Sequence, residues 1–255
     1  MIIPPRAALD LPSRADDPLL DGWYQTIELG NGLVSRGHYD HRPIVDRYGI
    51  PNSLAEQTAL DVGTAEGFFA FEMERRGARR VVATDVARFG DCDWLPIRRS
   101  RLPTAVLDAT HWPARFHIAQ AMRKSRVEYR FTSVYDLRPE VVGMFDVVFC
   151  GSLLLHLQSP LLALQRIRSV TREMAIIETA VDVQLESLAP ERPTLSFGFR
   201  GSEKELGEAN SYWLFTSRAL EDMLLYAGFA TVERRKLFDL SPKGPTVTSV
   251  VARVA

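Results

Sequence analysis

Two acids, Asp61 and Glu66, sit inside the glycine-bearing stretch LDVGTAEGFF, residues 60–69. A short apolar run that breaks at Gly63 and turns helical after Gly67 has the form of a nucleotide-binding turn. One glycine permits the sharp bend, and the other lets the helix start close to the strand. The dinucleotide pattern G-x-G-x-x-G is absent. That pattern seats a pyrophosphate on bare amides at a helix N-terminus, and carboxylates at 61 and 66 would repel such a dianion. They suit a cationic ligand instead. Asp85, at the end of VVATD, follows Gly63 by about the interval at which an acid bonds a ribose 2′-hydroxyl in such folds. The expected ligand therefore carries a ribose and positive charge, without phosphate.

These residues need a scaffold, and the surrounding pattern supplies one. TALDVG reads as a short buried strand, and EGFFAFEMERRGA as a helix closed by Gly77. Its periodicity turns Phe68, Phe69, Phe71 and Met73 inward and Glu72, Arg75 and Arg76 outward. RRVVATDV, YRFTSVYDL, FDVVFCGS and EMAIIETA read as further strands. Helices fall between most of them. The clearest is SPLLALQRIRSVT, with Ser159 as N-cap and Pro160 at the first helical position. TSRALEDMLLYAGF repeats that signature, with Thr216 or Ser217 as cap and Gly228 as stop. TVERRKLFDL and TVTSVVARVA end the chain with no helix between them, so they pair antiparallel. The fold class expected is α/β: a doubly wound, Rossmann-like, mostly parallel seven-stranded sheet with an antiparallel last strand. Residues 1–57 read as an N-terminal arm or lid on the acceptor side, and residues 58–255 as the ligand-binding domain. Insertions near 88–128 and 181–212 are long enough to be lids or binding elements.

S-adenosylmethionine meets the description of the ligand, and the sequence resembles the class I S-adenosylmethionine-dependent methyltransferases over most of residues 58–255. The family pattern D-x-G-x-G-x-G is present as Asp61, Gly63, Ala65 and Gly67, with Ala65 replacing the middle glycine. The resemblance implies that Asp61, Gly63 and Gly67 hold the methionine part, with Thr64 and Ala65 in the same turn. It implies Asp85 and Val86 at the ribose, Ser133 and Val134 at the adenine, and Gly151 and Ser152 after the fourth strand. A nearer resemblance is to the group containing the bacterial transferase that completes 5-oxyacetyl uridine at the tRNA wobble position. It rests on GAxxVxxxD (Gly77 to Asp85), FDVVFCGSLLLHLQSPLLAL, Glu178-Thr179 and NSYWLFTSRALEDMLLYAGF. That group reads Leu-Tyr-His-Arg where this chain has Leu154, Leu155, His156 and Leu157. The tyrosine and arginine that would hold a carboxylated cofactor are thus leucines, which favours ordinary methyl transfer.

Such a reaction asks little covalent help from the protein, because the cofactor carries the difficult chemistry. The chain must place a nucleophile and exclude water. A hydroxyl acceptor gains from a base of near-neutral pKa. His156, just past the fourth strand, is the first candidate, and Glu178, at the end of the fifth, the second. Trp23, Tyr24, His38, Tyr39, His41, Tyr212 and Trp213 are candidates for the acceptor pocket. The H-x-x-H spacing of His38 and His41, with one intervening acid, is a weak metal signature, and no metal is expected.

The chain has 255 residues and a formal net charge of −1, so no global charge draws it to nucleic acid or an anionic membrane. The basic runs RRGARR, RRSR, RKSR and ERRK are short and offset by acids. A small-molecule acceptor, a natural product or sugar hydroxyl, is therefore expected over tRNA. A nicotinamide-dependent reductase is disfavoured by the acidic turn, and a non-catalytic binding module is the bland alternative. Cys92 and Cys150 form no C-x-x-C and read as buried thiols. No segment approaches a membrane span or a signal-peptide core, so a cytoplasmic chain is expected.

Overall fold

The computed structural model describes residues 9–197 and 211–255. Most of the second insertion falls within that range; its residues 198–210 lie outside the described residues. The main sheet is built from β1 (Thr58–Val62), β2 (Arg80–Asp85), β3 (Glu128–Phe131), β4 (Phe145–Gly151), β5 (Thr171–Ala180), β6 (Thr231–Arg234) and β7 (Thr246–Arg253). Their order is β6-β7-β5-β4-β1-β2-β3, and a two-residue strand, Phe238–Asp239, also pairs with β7. Neighbours from β5 through β3 are parallel, while β7 runs antiparallel to both β5 and β6. This is the doubly wound sheet that strand–helix alternation implied. Every residue of β1 is buried, as a central parallel strand covered on both faces requires.

Each face has its own core. On one, α3 (Pro160–Ser169) and α4 (Ser217–Tyr226) pack Leu164, Ile167, Leu220 and Leu224 against Val148, Ile177 and Val250. On the other, α1 (Phe68–Arg75) and α2 (His111–Arg123) bring Phe69, Phe71 and Phe116 to Phe149 and Ile176. Residues from the N-terminal region join that second core: Leu20, Trp23, Ile27, Leu29, Tyr48, Ile50 and Leu54 are all buried in it. The region from 20 to 54 thus shares a core with the sheet. Within it, Trp23–Gln25 pairs in parallel with Gly37–Tyr39. A Cβ on Gly37 would lie 2.2 Å from the Gln25 carbonyl carbon, so only glycine allows this approach.

That packing overturns one expectation. Glu72 and Arg76, read as outward, are buried on α1. Arg76 Nε donates to Glu72 at 2.7 Å, while its Nη1 and Nη2 donate to the Ile50 carbonyl and to Asp46 at 2.7 and 2.8 Å. The N-terminal region covers a helix face that would otherwise meet water, and the charges are retained because they are paired and hydrogen-bonded. A smaller correction concerns YRFTSVYDL. The strand stops at Phe131, and Ser133 then caps a 3-10 turn at Val134–Asp136. Thr216 caps α4 through its side chain, accepting from the Ala219 amide, whereas Ser159 makes no side-chain cap to α3.

Candidate functional site

The turn between β1 and α1 is a closed hydrogen-bonded unit. Asp61, 1% exposed, accepts at Oδ2 from Thr64 Oγ1 (2.7 Å) and the Ala70 amide (3.0 Å). The Gly63 and Thr64 amides both donate to the Thr84 carbonyl, and the Gly67 amide donates to that of Thr64. The Ala65 amide donates to Asp85 Oδ2 (2.8 Å), and the Phe68 amide to Gln25 Oε1 (3.0 Å). A pyrophosphate seeking bare amides at this helix start would find these donors engaged. Ala65 itself has φ +51°, so it takes the left-handed conformation that suits the glycine it replaces. Gly67, at φ +99°, has no such latitude: a Cβ there would sit 2.6 Å from Phe116 and 2.7 Å from Phe71.

A cavity of about 1060 Å³ opens over the carboxyl ends of β1, β2, β4 and β5, where doubly wound sheets bind ligands. Asp61, Gly63, Ala65, Asp85, Val86, Ser133, Val134, Gly151 and Ser152 line it. Thr64 and Gly67 are spent inside the turn and do not. Burial pushes the Asp61 carboxyl up to about 7, against its bonds from Thr64 and Ala70, with the Asp85 charge adding to the rise. Asp85 is likewise raised by burial, to about 6, against hydrogen bonds from the Ala65 and Val86 amides. Two carboxylates that are costly to charge at neighbouring strand tips favour a ligand bringing a cation or hydroxyl donors.

Glu66, expected to meet the ligand's charge, does something else. It is 0% exposed and is not part of the cavity wall. Its carboxylate accepts from the Tyr24 amide (2.8 and 3.0 Å), the Gln25 amide (2.7 Å) and Arg115 of α2 (3.4 Å). The acid therefore ties protein to protein. Nothing in the local sequence distinguishes this from a ligand contact, because its partners lie 41 to 49 residues away.

The same cavity is also lined by Tyr24, His38, Tyr39, His41, His156 and Glu178. Glu178, 1% exposed at the end of β5, accepts from Ser152 Oγ at 3.0 Å. Burial outweighs that bond and raises its carboxyl to about 8. His156 follows β4 in a 3-10 turn, with Nδ1 3.5 Å from Ser211 Oγ. The two candidate bases thus share one cavity. His41 is buried beside Phe68 and Phe69, with Nδ1 2.8 Å from the Tyr48 hydroxyl, and burial lowers its pKa to about 4. His38 is exposed. Trp23 reaches the cavity edge while its Nε1 donates to the Leu19 carbonyl.

Tyr212 and Trp213 are the two pocket candidates not brought to the wall. The Tyr212 hydroxyl donates to the Asp93 carbonyl and accepts from the Leu95 amide, and Trp213 Nε1 donates to the Leu157 carbonyl. They fasten two loops to each other. Asp93 extends that fastening by accepting from the Tyr135 hydroxyl (2.6 Å) and the Gln158 amide (2.7 Å). The first insertion also contributes Phe89, Cys92, His111, Trp112 and Arg115 to the lining, and the loop before β7 contributes Lys243. Sequence reasoning assigned these no site role; only the insertion's length pointed to them. Burial pushes the Cys92 thiol up to about 12, which leaves it protonated and inert. Among the described residues no group of three or more His, Cys, Asp or Glu could hold a metal ion, and no helix is long and apolar enough to cross a membrane.

Comparison with known proteins bears on the fold. No protein-family model matches the chain. A ubiquinone biosynthesis O-methyltransferase from Acinetobacter baumannii (strain AYE) is 34% identical over 107 residues, 42% of this chain and 36% of that protein. The match thus spans about a third of the curated relative's length. The N-terminal domain of EvdMO1, solved in the presence of SAH and D-fucose, superposes with a TM-score of 0.58 at 19% identity. That alignment covers 92% of this chain and 93% of the other. Magnesium protoporphyrin IX methyltransferase (ChlM) from Synechocystis PCC 6803, with bound SAH, gives 0.53 at 12% identity, covering 84% and 81%. The chain has the class I S-adenosylmethionine-dependent methyltransferase fold.

Proposed function

We propose that this chain is an S-adenosylmethionine-dependent methyltransferase acting on a small-molecule acceptor, a natural-product or sugar hydroxyl. The observation that carries the reading is the chemistry of the first turn. The amides of Gly63, Thr64, Ala65, Gly67 and Phe68 are given to protein acceptors, and buried acids stand at the adjoining strand tips, so the turn suits an ammonium, a sulfonium and ribose hydroxyls and disfavours a diphosphate. Asp61 and the backbone near Gly63 and Ala65 would hold the amino-acid end. Asp85 would take the ribose, and Ser133, Val134 and Trp112 would border the base. Bound there, S-adenosylmethionine supplies an activated methyl group.

The chain's own residues then position and deprotonate the acceptor. Glu178 accepts from Ser152 and faces the cavity, and a carboxyl raised to about 8 is matched to removing a hydroxyl proton near neutral pH. His156 lies within the same cavity as the second candidate base. Leu153, Leu155 and Leu157 line the wall beside it and keep water from the reacting atoms. The names of the similar proteins support a small acceptor: D-fucose accompanies the EvdMO1 domain, and the others act on a porphyrin and in ubiquinone biosynthesis.

The competing acceptor is tRNA, through the wobble-uridine resemblance. Two features weigh against it. Leu155 and Leu157, the replacements for that group's tyrosine and arginine, both face the cavity. Arginines of the basic runs are also bound to acids: Arg75 and Arg76 to Glu72, Arg80 to Glu128, and Arg234 to Glu221. Incubating the protein with labelled S-adenosylmethionine and either a panel of hydroxylated small molecules or bulk tRNA separates the two. Label entering the panel supports the reading. Label entering only tRNA, with salt-sensitive binding, overturns the acceptor class, and cofactor binding without any turnover points to a binding module.

A further inference from the structure

Three segments of the chain meet on one buried carboxylate. Glu66 belongs to the turn before α1, accepts from the backbone of residues 24 and 25, and is reached by Arg115 of α2. The contact is returned. Gly67, the N-cap position of α1, offers no side-chain acceptor, and Gln25 Oε1 supplies one from outside by accepting from the Phe68 amide. Glu66 is sealed, so water cannot substitute for its bonds without opening the structure, while Gln25, 4% exposed, borders the cavity. Between these two anchors sits Tyr24, whose side chain lines the cavity with its ring centroid 5.1 Å from that of Tyr39. The backbone presenting an acceptor-side aromatic is therefore stitched at both ends of one short turn, Glu66 to Phe68, to the element facing the cofactor.

We propose that Glu66 and Gln25 are positioning residues that couple the cofactor turn to the acceptor wall, so that a nucleoside ligand seated on the turn orders the backbone carrying Tyr24. This rests on the S-adenosylmethionine reading above. Because linkage is reciprocal, an acceptor held against Tyr24 tightens the cofactor by the same factor. Each ligand then completes the wall that the other uses.

Amide hydrogen exchange by NMR on the full chain, with and without S-adenosylhomocysteine, tests this without needing an acceptor. The expected result is slower exchange at residues 63–68 and also at Tyr24 and Gln25, by about tenfold or more. In Glu66→Gln one oxygen is left for amides that the carboxylate holds with two, and an NH2 is turned toward Arg115; in Gln25→Ala the outside cap is gone. Both variants should keep ligand-dependent slowing at the turn and lose most of it at residue 24. A merely structural role would speed exchange equally with and without ligand. Should Glu66→Gln fail to fold, Gln25→Ala carries the comparison alone. Protection at 63–68 with none at Tyr24 and Gln25 in the natural sequence overturns the coupling and leaves the cofactor reading standing. Protection at neither place overturns both.

Discussion

The two walls of the cavity are built by opposite means. At the first turn the cofactor-facing wall is local. Gly63, Ala65 and Gly67 with Asp61 lie within one turn, and Asp85 comes from the next strand, bonded back to that turn at Ala65. The acceptor-facing wall draws on residues near 24, 38, 156, 178 and 243, which meet only because the sheet and its N-terminal cover bring them together. A wall whose shape is fixed by its own backbone bonds keeps one ligand. A wall assembled from distant loops can change its guest without disturbing the sheet.

The largest effect expected from breaking this contrast is at Gly67. A Cβ there meets Phe116 and Phe71 at 2.6 and 2.7 Å on a left-handed backbone, so Gly67→Ala should cost about 4 kcal/mol in chemical denaturation. Gly143, at φ +90° and ψ −168° but with nothing near its Cβ, should cost about 2 kcal/mol on the same change, from backbone conformation alone. Equal losses would show that conformation, not packing of the helix start, sets the turn.

On the acceptor wall, Glu178→Gln should lower turnover by roughly 100-fold or more while leaving S-adenosylhomocysteine affinity nearly unchanged, a split read by kinetics and calorimetry. In the natural sequence the rate should climb with pH until the Glu178 carboxyl, raised to about 8, has lost its proton. A pH-independent rate between 6 and 9 would remove Glu178 as base. The converse variant, Asp61→Asn, should weaken S-adenosylhomocysteine by about 100-fold through loss of one buried charge partner.

A gentler consequence concerns stability. Asp61, Asp85 and Glu178 have folded pKa values of about 7, 6 and 8, above the usual carboxylate range, because burial disfavours their charged forms. Between roughly pH 4 and 8 the native state therefore holds protons that the unfolded chain has lost, and stability falls as pH rises through that window. Ligand-free protein should melt at a higher temperature at pH 5 than at pH 8. Saturating S-adenosylmethionine should narrow the gap, since a cation beside Asp61 lowers its pKa. The smallest effect is expected at Ala65→Gly, which relieves a left-handed alanine but loosens the unfolded chain, for a net change below about 1 kcal/mol.

The same contrast explains what could be read in the sequence. Strand–helix alternation and the turn glycines are local signals, so the parallel sheet, the antiparallel closing strand and the place of Asp61 and Asp85 were legible. Glu66 was not, because an acid in a ligand-binding turn and an acid tying down a distant backbone look identical until the fold joins residues 24 and 66. Glu72 and Arg76 followed the same rule: helical periodicity assumed water on a face that the N-terminal region covers. Tyr212 and Trp213 are aromatics beside a site in sequence that prove to hold loops together in space, and Asp93, the anchor of Tyr212, carried no motif at all.

Isothermal titration of S-adenosylmethionine near pH 6.5, in two buffers of different ionisation enthalpy, tests the acidic turn most directly. Binding should release protons to the buffer, because a cation seated beside Asp61 pulls down a carboxyl that is largely protonated at that pH, and a phosphorylated dinucleotide should give no heat. Tight uptake of the dinucleotide with silence towards S-adenosylmethionine would contradict the account.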